Sequence, residues 1–213
     1  KTTVFNLITG VYAPSDGAIV FEGRAIQGHA TCSIARHGVA RTFQSPRLFA
    51  NLTCLDNVRI ACHTHAGARL MDSVLATARS VDEENDILER SDALLETFGL
   101  SKYRDQEARN LPYGEQRRLE IARALAAEPR LLLLDEPAAG LNPQETEALM
   151  HLIHDLRDRY GLTVLLIEHD MKVVMGICQR ITVLDYGVKI AEGDPDRIRR
   201  DPKVIEAYLG DEP

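Results

Sequence analysis

Hydrophobic and polar positions form two different patterns along this chain, most clearly in its second half. Leu131–Leu134 and Thr163–Ile167 are apolar at nearly every position, which is typical of strands covered on both faces of a parallel sheet. Glu115–Ala127 and Pro143–Tyr160 instead carry apolar residues at helical spacing. Helices that alternate with such strands predict an α/β domain with a mostly parallel sheet flanked by helices.

The remaining elements are predicted from weaker patterns and from turn residues. The sequence predicts helices over 4–9, 55–61 and 82–98, strands over 18–21 and Val39–Phe43, a hairpin pairing Ile181–Leu184 with Val188–Ala191, and two short helices within 195–209. Residues 62–80 have a mixed composition and predict no element.

Polar side chains follow the predicted strands where each strand ends. Asp135 and Glu136 come after Leu131–Leu134, His169 follows the next strand, and Gln44 ends Val39–Phe43. Ligands bind at the carboxyl ends of strands in such sheets, so we expect these residues at one edge. There an aspartate can hold Mg²⁺ through water, a glutamate can polarise an attacking water, and a histidine can contact a γ-phosphate. Taken singly, each also fits a plain reading: a charged turn, a structural histidine or a surface glutamine.

Two further motifs lie at helix starts, where backbone N–H groups favour anions. Lys1-Thr2-Thr3 runs into the first helix, as the end of a phosphate-binding G-K-[ST] loop does. A glycine-containing turn, Leu111–Arg118, precedes the helix over 115–127. Three residues alone carry little meaning, and the second motif also fits an ordinary helix start, so both gain weight only in combination.

Composition excludes several classes of protein. The chain has 213 residues and a formal charge of -7, which disfavours nucleic acid as a partner. Its cysteines, Cys32, Cys54, Cys62 and Cys178, have no zinc-ligand spacing and predict free thiols in a reducing compartment. There is no signal peptide, and the longest apolar runs are too short to span a bilayer. A role at a membrane would therefore require a partner.

The ordered set of motifs resembles the ATPase family of ABC transporters. The chain reads LPYGEQRRLEIARAL, similar to the family's signature sequence, then LLLLDEP, similar to its second acidic motif, AAGLNP (138–143), similar to the loop that follows, and LLIEHDM (165–171), similar to its switch histidine. VARTFQSPRLF and the tail VIEAYLG are similar to the ATP-binding subunits of bacterial branched-chain amino-acid importers. Lipopolysaccharide-export ATPases, soluble ABC ATPases of DNA repair or translation, and a non-catalytic interaction module remain as alternatives.

The resemblance implies ATP and Mg²⁺ as cofactors and a role for each motif. The implied nucleotide-binding residues are Lys1, Thr2, Thr3, Gln44 and Asp135, with Thr2, Gln44 and Asp135 at Mg²⁺. Glu136 is implied as the general base and His169 as the γ-phosphate sensor. The signature turn, which would meet the ATP of a second subunit, comprises Leu111, Pro112, Tyr113, Gly114, Glu115 and Gln116. The residues implied to contact a membrane subunit are Ser45, Pro46, Arg47, Leu48 and Phe49.

The resemblance also implies the setting of the protein and its domain layout. Its partners would be transmembrane permease subunits, a second ABC ATPase subunit and, indirectly, a periplasmic substrate-binding protein, at the cytoplasmic face of the bacterial inner membrane. We expect residues 1–213 to form one ABC ATPase domain, with a helical subdomain over about 50–112 that carries the signature motif, and C-terminal helices over 190–213.

The sequence departs from the family pattern at three places. Pro112 stands where the signature usually has serine, and Asn142 where the following loop usually has aspartate. The N-terminal strands and most of the glycine-rich phosphate loop have no counterpart before Lys1. We therefore expect little or no ATP binding by these 213 residues alone, and micromolar Mg-ATP binding in calorimetry would contradict this expectation.

Overall fold

The computed structural model describes residues 1–63 and 78–209, beginning with a helix and a small hairpin. Helix α1 spans Thr2–Ile8, strands β1 (Val20–Phe21) and β2 (Arg24–Ala25) pair antiparallel, and helix α2 spans Thr31–Arg36. Helix α1 confirms the prediction with slightly earlier bounds. Strand β1 is shorter than the predicted 18–21, and α2 was not predicted, because its six residues are too few to show a helical period.

A parallel three-stranded sheet forms the centre of the structure. Its strands are β3 (Val39–Arg41), β4 (Leu131–Asp135) and β5 (Thr163–Ile167), in that order. The predicted α/β class and parallel sheet are therefore confirmed. Strand β3 ends two residues before the predicted Phe43, so Gln44 lies in the irregular segment that follows the strand rather than at its last position.

Helices cover the sheet and build a second packed region beside it. They are α3 (Cys54–Cys62), α4 (Ala78–Thr97), α5 (Tyr113–Ala126) and α6 (Pro143–Tyr160). Helix α5 packs on both α3 and α4, and one apolar core runs from these helices to β4 and α6. The helix that starts at the signature turn thus belongs to the helical region, although it lies beyond the predicted limit at 112.

The C-terminal part follows the sheet as a helix, a hairpin and short turns of helix. Helix α7 spans Met171–Ile177, strands β6 (Ile181–Asp185) and β7 (Val188–Gly193) form an antiparallel hairpin, and α8 spans Pro195–Arg199. Helix α9 (Pro202–Val204) continues as a π-helical turn over Ile205–Leu209. The hairpin and the short helices confirm the prediction, with β7 extending to Gly193 and the first of these helices beginning at Pro195.

One face of strand β5 is more exposed to solvent than predicted. Thr163 and Leu165 are exposed, whereas β4 is buried from Leu132 to Asp135. Strand β5 pairs only with β4 among the described strands, and a cavity of about 630 Å³ separates it from β6. The expectation that β5 is covered on both faces was therefore wrong, since apolar composition does not by itself supply a covering neighbour.

The cysteines are free thiols, as predicted. Cys54 and Cys62 are buried on α3, and Cys32 is exposed. Burial raises the pKa of Cys54 to about 11, which makes it an inert core residue at neutral pH. No helix within residues 1–63 and 78–209 is long and apolar enough to cross a membrane.

Candidate active site

The ends of β4 and β5 lie side by side and set the position of the polar residues that follow them. Asp135 and Ile167 are register partners, and the N–H of Glu136 donates to the carbonyl of Ile167 at 2.8 Å. Glu136 and Glu168 therefore leave the sheet next to each other. The predicted convergence of polar residues at this edge is confirmed in its geometry.

Glu136 is the centre of a group of three residues that the sequence had indicated. Its Oε2 accepts a hydrogen bond of 2.9 Å from the Nε2 of Gln44, and its Oε1 lies 3.7 Å from the Nδ1 of His169. The second distance allows an ion pair with a protonated imidazole but is too long for a hydrogen bond. Glu136 also has a φ of 46°, a left-handed conformation that is unfavourable for a glutamate and that clusters at functional sites.

Asp135 is almost buried and is paired with an arginine that the sequence analysis missed. Its Oδ2 accepts a 2.9 Å bond from Arg41, whose other terminal nitrogen donates to the Oδ1 of Asn6 at 2.7 Å. The guanidinium of Arg41 also lies over the rings of Phe5 and Phe43. Arg41 thus connects α1 to the end of β4 through a single side chain.

Glu168 is a second residue that the sequence analysis did not single out. It is 8% exposed, and its carboxylate accepts from the N–H of Ala138 at 2.9 Å and from the N–H of His169 at 3.2 Å. The side chain holds the turn after β4 against the turn after β5. The sequence feature that could have identified Glu168 is its position directly after the apolar strand that ends at Ile167 and directly before His169.

The first three residues lie at the exposed start of α1. Thr2 and Thr3 are exposed, and the Nζ of Lys1 lies 4.9 Å from the ring centroid of Tyr208. The structure thus places Lys1 against the C-terminal helical turn. The roles of these residues at phosphates stay predictions.

The signature turn packs against the loop that follows β4. A Cβ added to Gly114 would lie 3.0 Å from the Oε1 of Glu145, and one added to Gly140 would lie 3.1 Å from the ring of Tyr113. The side chain of Gln116 closes the turn by donating to the carbonyl of Leu111 at 2.9 Å. Gly140 also has a φ of 79°, a conformation that favours glycine, whereas a Cβ at Gly114 would require the Glu145 side chain to shift by a few tenths of an ångström.

Asn142 has a structural role that accounts for one departure from the family pattern. Its side chain accepts from the N–H of Glu145 while Glu145 accepts from the N–H of Asn142, which forms a capping box at the start of α6. Asparagine and aspartate are equally good at this position. The substitution therefore keeps the helix start intact.

The segment predicted to contact a membrane subunit lies partly at the surface. Ser45, Arg47 and Phe49 are exposed, while Pro46 and Leu48 are half-buried. Phe49 keeps 47% of its surface exposed, and the guanidinium of Arg123 lies over its ring. An exposed aromatic ring in this segment is consistent with a contact surface.

The residues present suit Mg²⁺ that arrives with a nucleotide. The side-chain amide nitrogen of Gln44 is engaged by Glu136, so its carbonyl oxygen is the atom left for a ligand. Asp135, whose Oδ2 pairs with Arg41, and Thr2 are predicted to supply further oxygens. Oxygens of these kinds are what Mg²⁺ prefers, and it commonly takes one or two from protein and the rest from phosphates and water. Among the described residues, no group of three or more His, Cys, Asp or Glu side chains is arranged to hold an ion without that help.

Comparisons with known proteins agree with this arrangement. A family model described as ABC transporter matches residues 1–139, and one described as branched-chain amino acid ATP-binding cassette transporter matches residues 188–213. The chain is 47% identical over 211 residues to LivG of Escherichia coli (strain K12), a high-affinity branched-chain amino acid transport ATP-binding protein; the match covers 99% of this chain and 83% of LivG. It is 37% identical over 212 residues to LptB of Acidithiobacillus ferridurans, a lipopolysaccharide export system ATP-binding protein, covering 100% of this chain and 81% of LptB.

A solved structure extends the agreement to the fold. The ADP conformation of MJ1267, an ATP-binding cassette of an ABC transporter, superposes with a TM-score of 0.82 at 30% identity, over 99% of this chain and 84% of MJ1267. The fold is thus shared with an ATP-binding cassette of known structure. The chain belongs to the ATP-binding family of ABC transporters.

Proposed function

We propose that this protein is the ATP-hydrolysing subunit of an importer for branched-chain or other hydrophobic amino acids. The observation that carries the proposal is the convergence of Gln44, Glu136 and His169 at the carboxyl ends of neighbouring parallel strands. That edge is where sheets of this class bind their ligands.

The chemistry proposed for this edge is attack of water on the γ-phosphate of ATP. The Glu136 carboxylate would accept the proton of the attacking water, while the amide of Gln44 fixes the orientation of that carboxylate. His169, which is largely exposed, would donate to a γ-phosphate oxygen. Mg²⁺ held with Asp135, Gln44 and Thr2 would neutralise charge on the phosphates.

Nucleotide binding is assigned to the start of α1 and to the signature turn of a second subunit. Lys1 and Thr3 would contact phosphates, since both lie at a helix N-terminus. The N-terminal end of α5 carries Gly114 and would close on the ATP held by a partner ATPase subunit in a head-to-tail dimer. Because Pro112 has no hydroxyl, this contact would rely on backbone N–H groups.

Coupling to transport is assigned to residues Ser45–Phe49. Phe49, Leu52 and Ile60 are exposed apolar side chains of this region and would meet transmembrane permease subunits. The protein would then act as a peripheral subunit at the cytoplasmic face of the bacterial inner membrane. A periplasmic substrate-binding protein would deliver the cargo on the other side.

The substrate class is inferred from the relatives. LivG is named for branched-chain amino acid transport, and the C-terminal family match carries the same description. Lipopolysaccharide export is the second candidate because of the 37% identity to LptB. The higher identity to LivG and the C-terminal match favour the amino-acid importer.

Uptake by proteoliposomes tests the proposal. The full-length protein, reconstituted with its permease subunits and substrate-binding protein, is expected to accumulate labelled leucine only when Mg-ATP is present on the ATPase side. Phe49→Asp is expected to lower uptake at least about tenfold by placing a charge in an apolar contact. Its control is Val188→Asp, which makes the same kind of change at an exposed apolar residue of β7 in the C-terminal hairpin. ATP hydrolysis without uptake of any branched-chain or other hydrophobic amino acid would reject the substrate class.

A further inference from the structure

Helix α5 presents a charged pair to the interior, on the side that faces the active site. Arg117 and Glu120 are three positions apart and therefore share one face of the helix. Arg117 is fully buried and Glu120 is 1% exposed, and they form an ion pair of 2.9 Å. The roles proposed so far for the nucleotide and for the membrane partner make no use of this pair.

The pair binds the backbone of two active-site segments. Arg117 donates to the carbonyls of Phe43 at 2.5 Å, Gln44 at 2.6 Å and Glu136 at 3.1 Å. The Oε1 of Glu120 accepts from the N–H of Phe43 at 3.2 Å and from the N–H of Arg47 at 3.1 Å. The pair thus holds segment 43–47 at both ends. The guanidinium of Arg117 also binds the backbone carbonyl of Glu136, the residue proposed as the general base.

Stabilisation of the fold does not by itself explain why such a charged pair is buried. Burying two charges costs several kcal/mol of desolvation, and apolar residues of similar volume often do as well or better. What this pair adds is geometry, because a planar guanidinium has donors in fixed directions and can bind several carbonyls at once. Its three carbonyl partners all belong to residues at or beside the proposed reaction centre.

We propose that Arg117 and Glu120 are positioning residues that fix Gln44 and Glu136 relative to the helix that begins at the signature turn. The proposal rests on the proposed function, since it assigns the pair to the same reaction. A displacement of α5 on dimer closure would be passed to both residues through the Arg117 side chain, which the ion pair with Glu120 and the carbonyl contacts hold in place. The pair would thus couple binding of the partner subunit's ATP at the signature turn to the alignment of Glu136, the proposed general base.

Arg117→Lys tests the proposal in the full-length protein. Lysine keeps the charge but loses the planar fork, so it cannot hold three carbonyls in their present directions. We expect kcat for ATP hydrolysis to fall at least about tenfold, with KM for ATP changed less than about threefold. The matched control is Arg90→Lys, which makes the same change at an exposed arginine of α4 that pairs with Glu128. It is expected to keep kcat within about twofold.

A double-mutant cycle separates positioning from general structure. If Arg117 acts through Gln44, the Arg117→Lys effect on kcat should shrink to less than about threefold in a Gln44→Ala background. Full additivity of the two changes would overturn the proposal, and so would a kcat for Arg117→Lys equal to that of Arg90→Lys. If Arg117→Lys does not fold, the isosteric Glu120→Gln replaces it, and parental kcat in that folded variant would overturn the proposal.

The same assays distinguish this inference from the proposed function. A wild-type protein that hydrolyses no ATP would refute the proposed function itself. A wild-type protein that does hydrolyse ATP and loses activity on Gln44→Ala, but not on Arg117→Lys or Glu120→Gln, would refute only the positioning role.

Discussion

Glu136→Gln in the full-length protein is expected to lower the rate of ATP hydrolysis about 10²–10⁴-fold, the usual contribution of a positioned general base. Glutamine has nearly the same shape and can still accept the hydrogen bond that Gln44 donates to this side chain. The variant should therefore keep the geometry of the site while losing the ability to take a proton from water. ATP binding should persist, so ATP-bound dimers should accumulate.

Two measurements check this expectation. Steady-state phosphate release gives the rate, and size-exclusion chromatography with and without Mg-ATP gives the dimer fraction. Glu147→Gln is the control, because it makes the same substitution at an exposed position on α6. Hydrolysis by Glu136→Gln at the parental rate would mean that the base has been assigned to the wrong residue.

The location of Glu136 could be predicted because its signal is local. A buried strand followed by two acids places those acids at the carboxyl edge of the sheet, and a second strand followed by His169 adds to the same edge. The register of β4 and β5 then brings Glu136 and His169 within 3.7 Å. The order of elements and the polar residues at strand ends thus followed from sequence pattern alone.

Arg41, Arg117 and Glu120 could not be predicted in the same way. Each acts on groups far away along the chain: Arg41 on Asn6 and Asp135, and Arg117 on the backbone of segment 43–47 and of Glu136. Backbone acceptors exist at every residue, so they leave no mark in a sequence. A buried arginine on a helix also looks like any other polar position until the packing is known.

The covering of β5 illustrates a second limit of sequence pattern. Leu133 on β4 and Leu165 on β5 are register partners with the same side chain. Leu133 is fully buried, whereas Leu165 is 39% exposed beside the cavity between β5 and β6. Composition gives both the same expectation, because burial depends on which neighbour lies against each face and not on the residue itself.

Leu133→Ala should destabilise the 213-residue chain by about 2–5 kcal/mol, because it removes a fully packed side chain and leaves a cavity. Leu165→Ala should cost roughly half of that or less, since much of this side chain is already in contact with water. Urea unfolding followed by circular dichroism measures the free energy of unfolding of each variant. Because both variants make the same substitution on neighbouring strands, each serves as the control for the other.

Equal losses at the two positions would contradict this expectation in an informative way. They would mean that Leu165 is as well covered in solution as Leu133, so that the space between β5 and β6 is closed or filled. A small loss at Leu165 together with a large one at Leu133 would mean that β4 alone carries the buried centre of the sheet. Because Asp135 and Glu136 follow directly from β4, the strand that holds the proposed catalytic residues would then also be the one that stabilises the fold most.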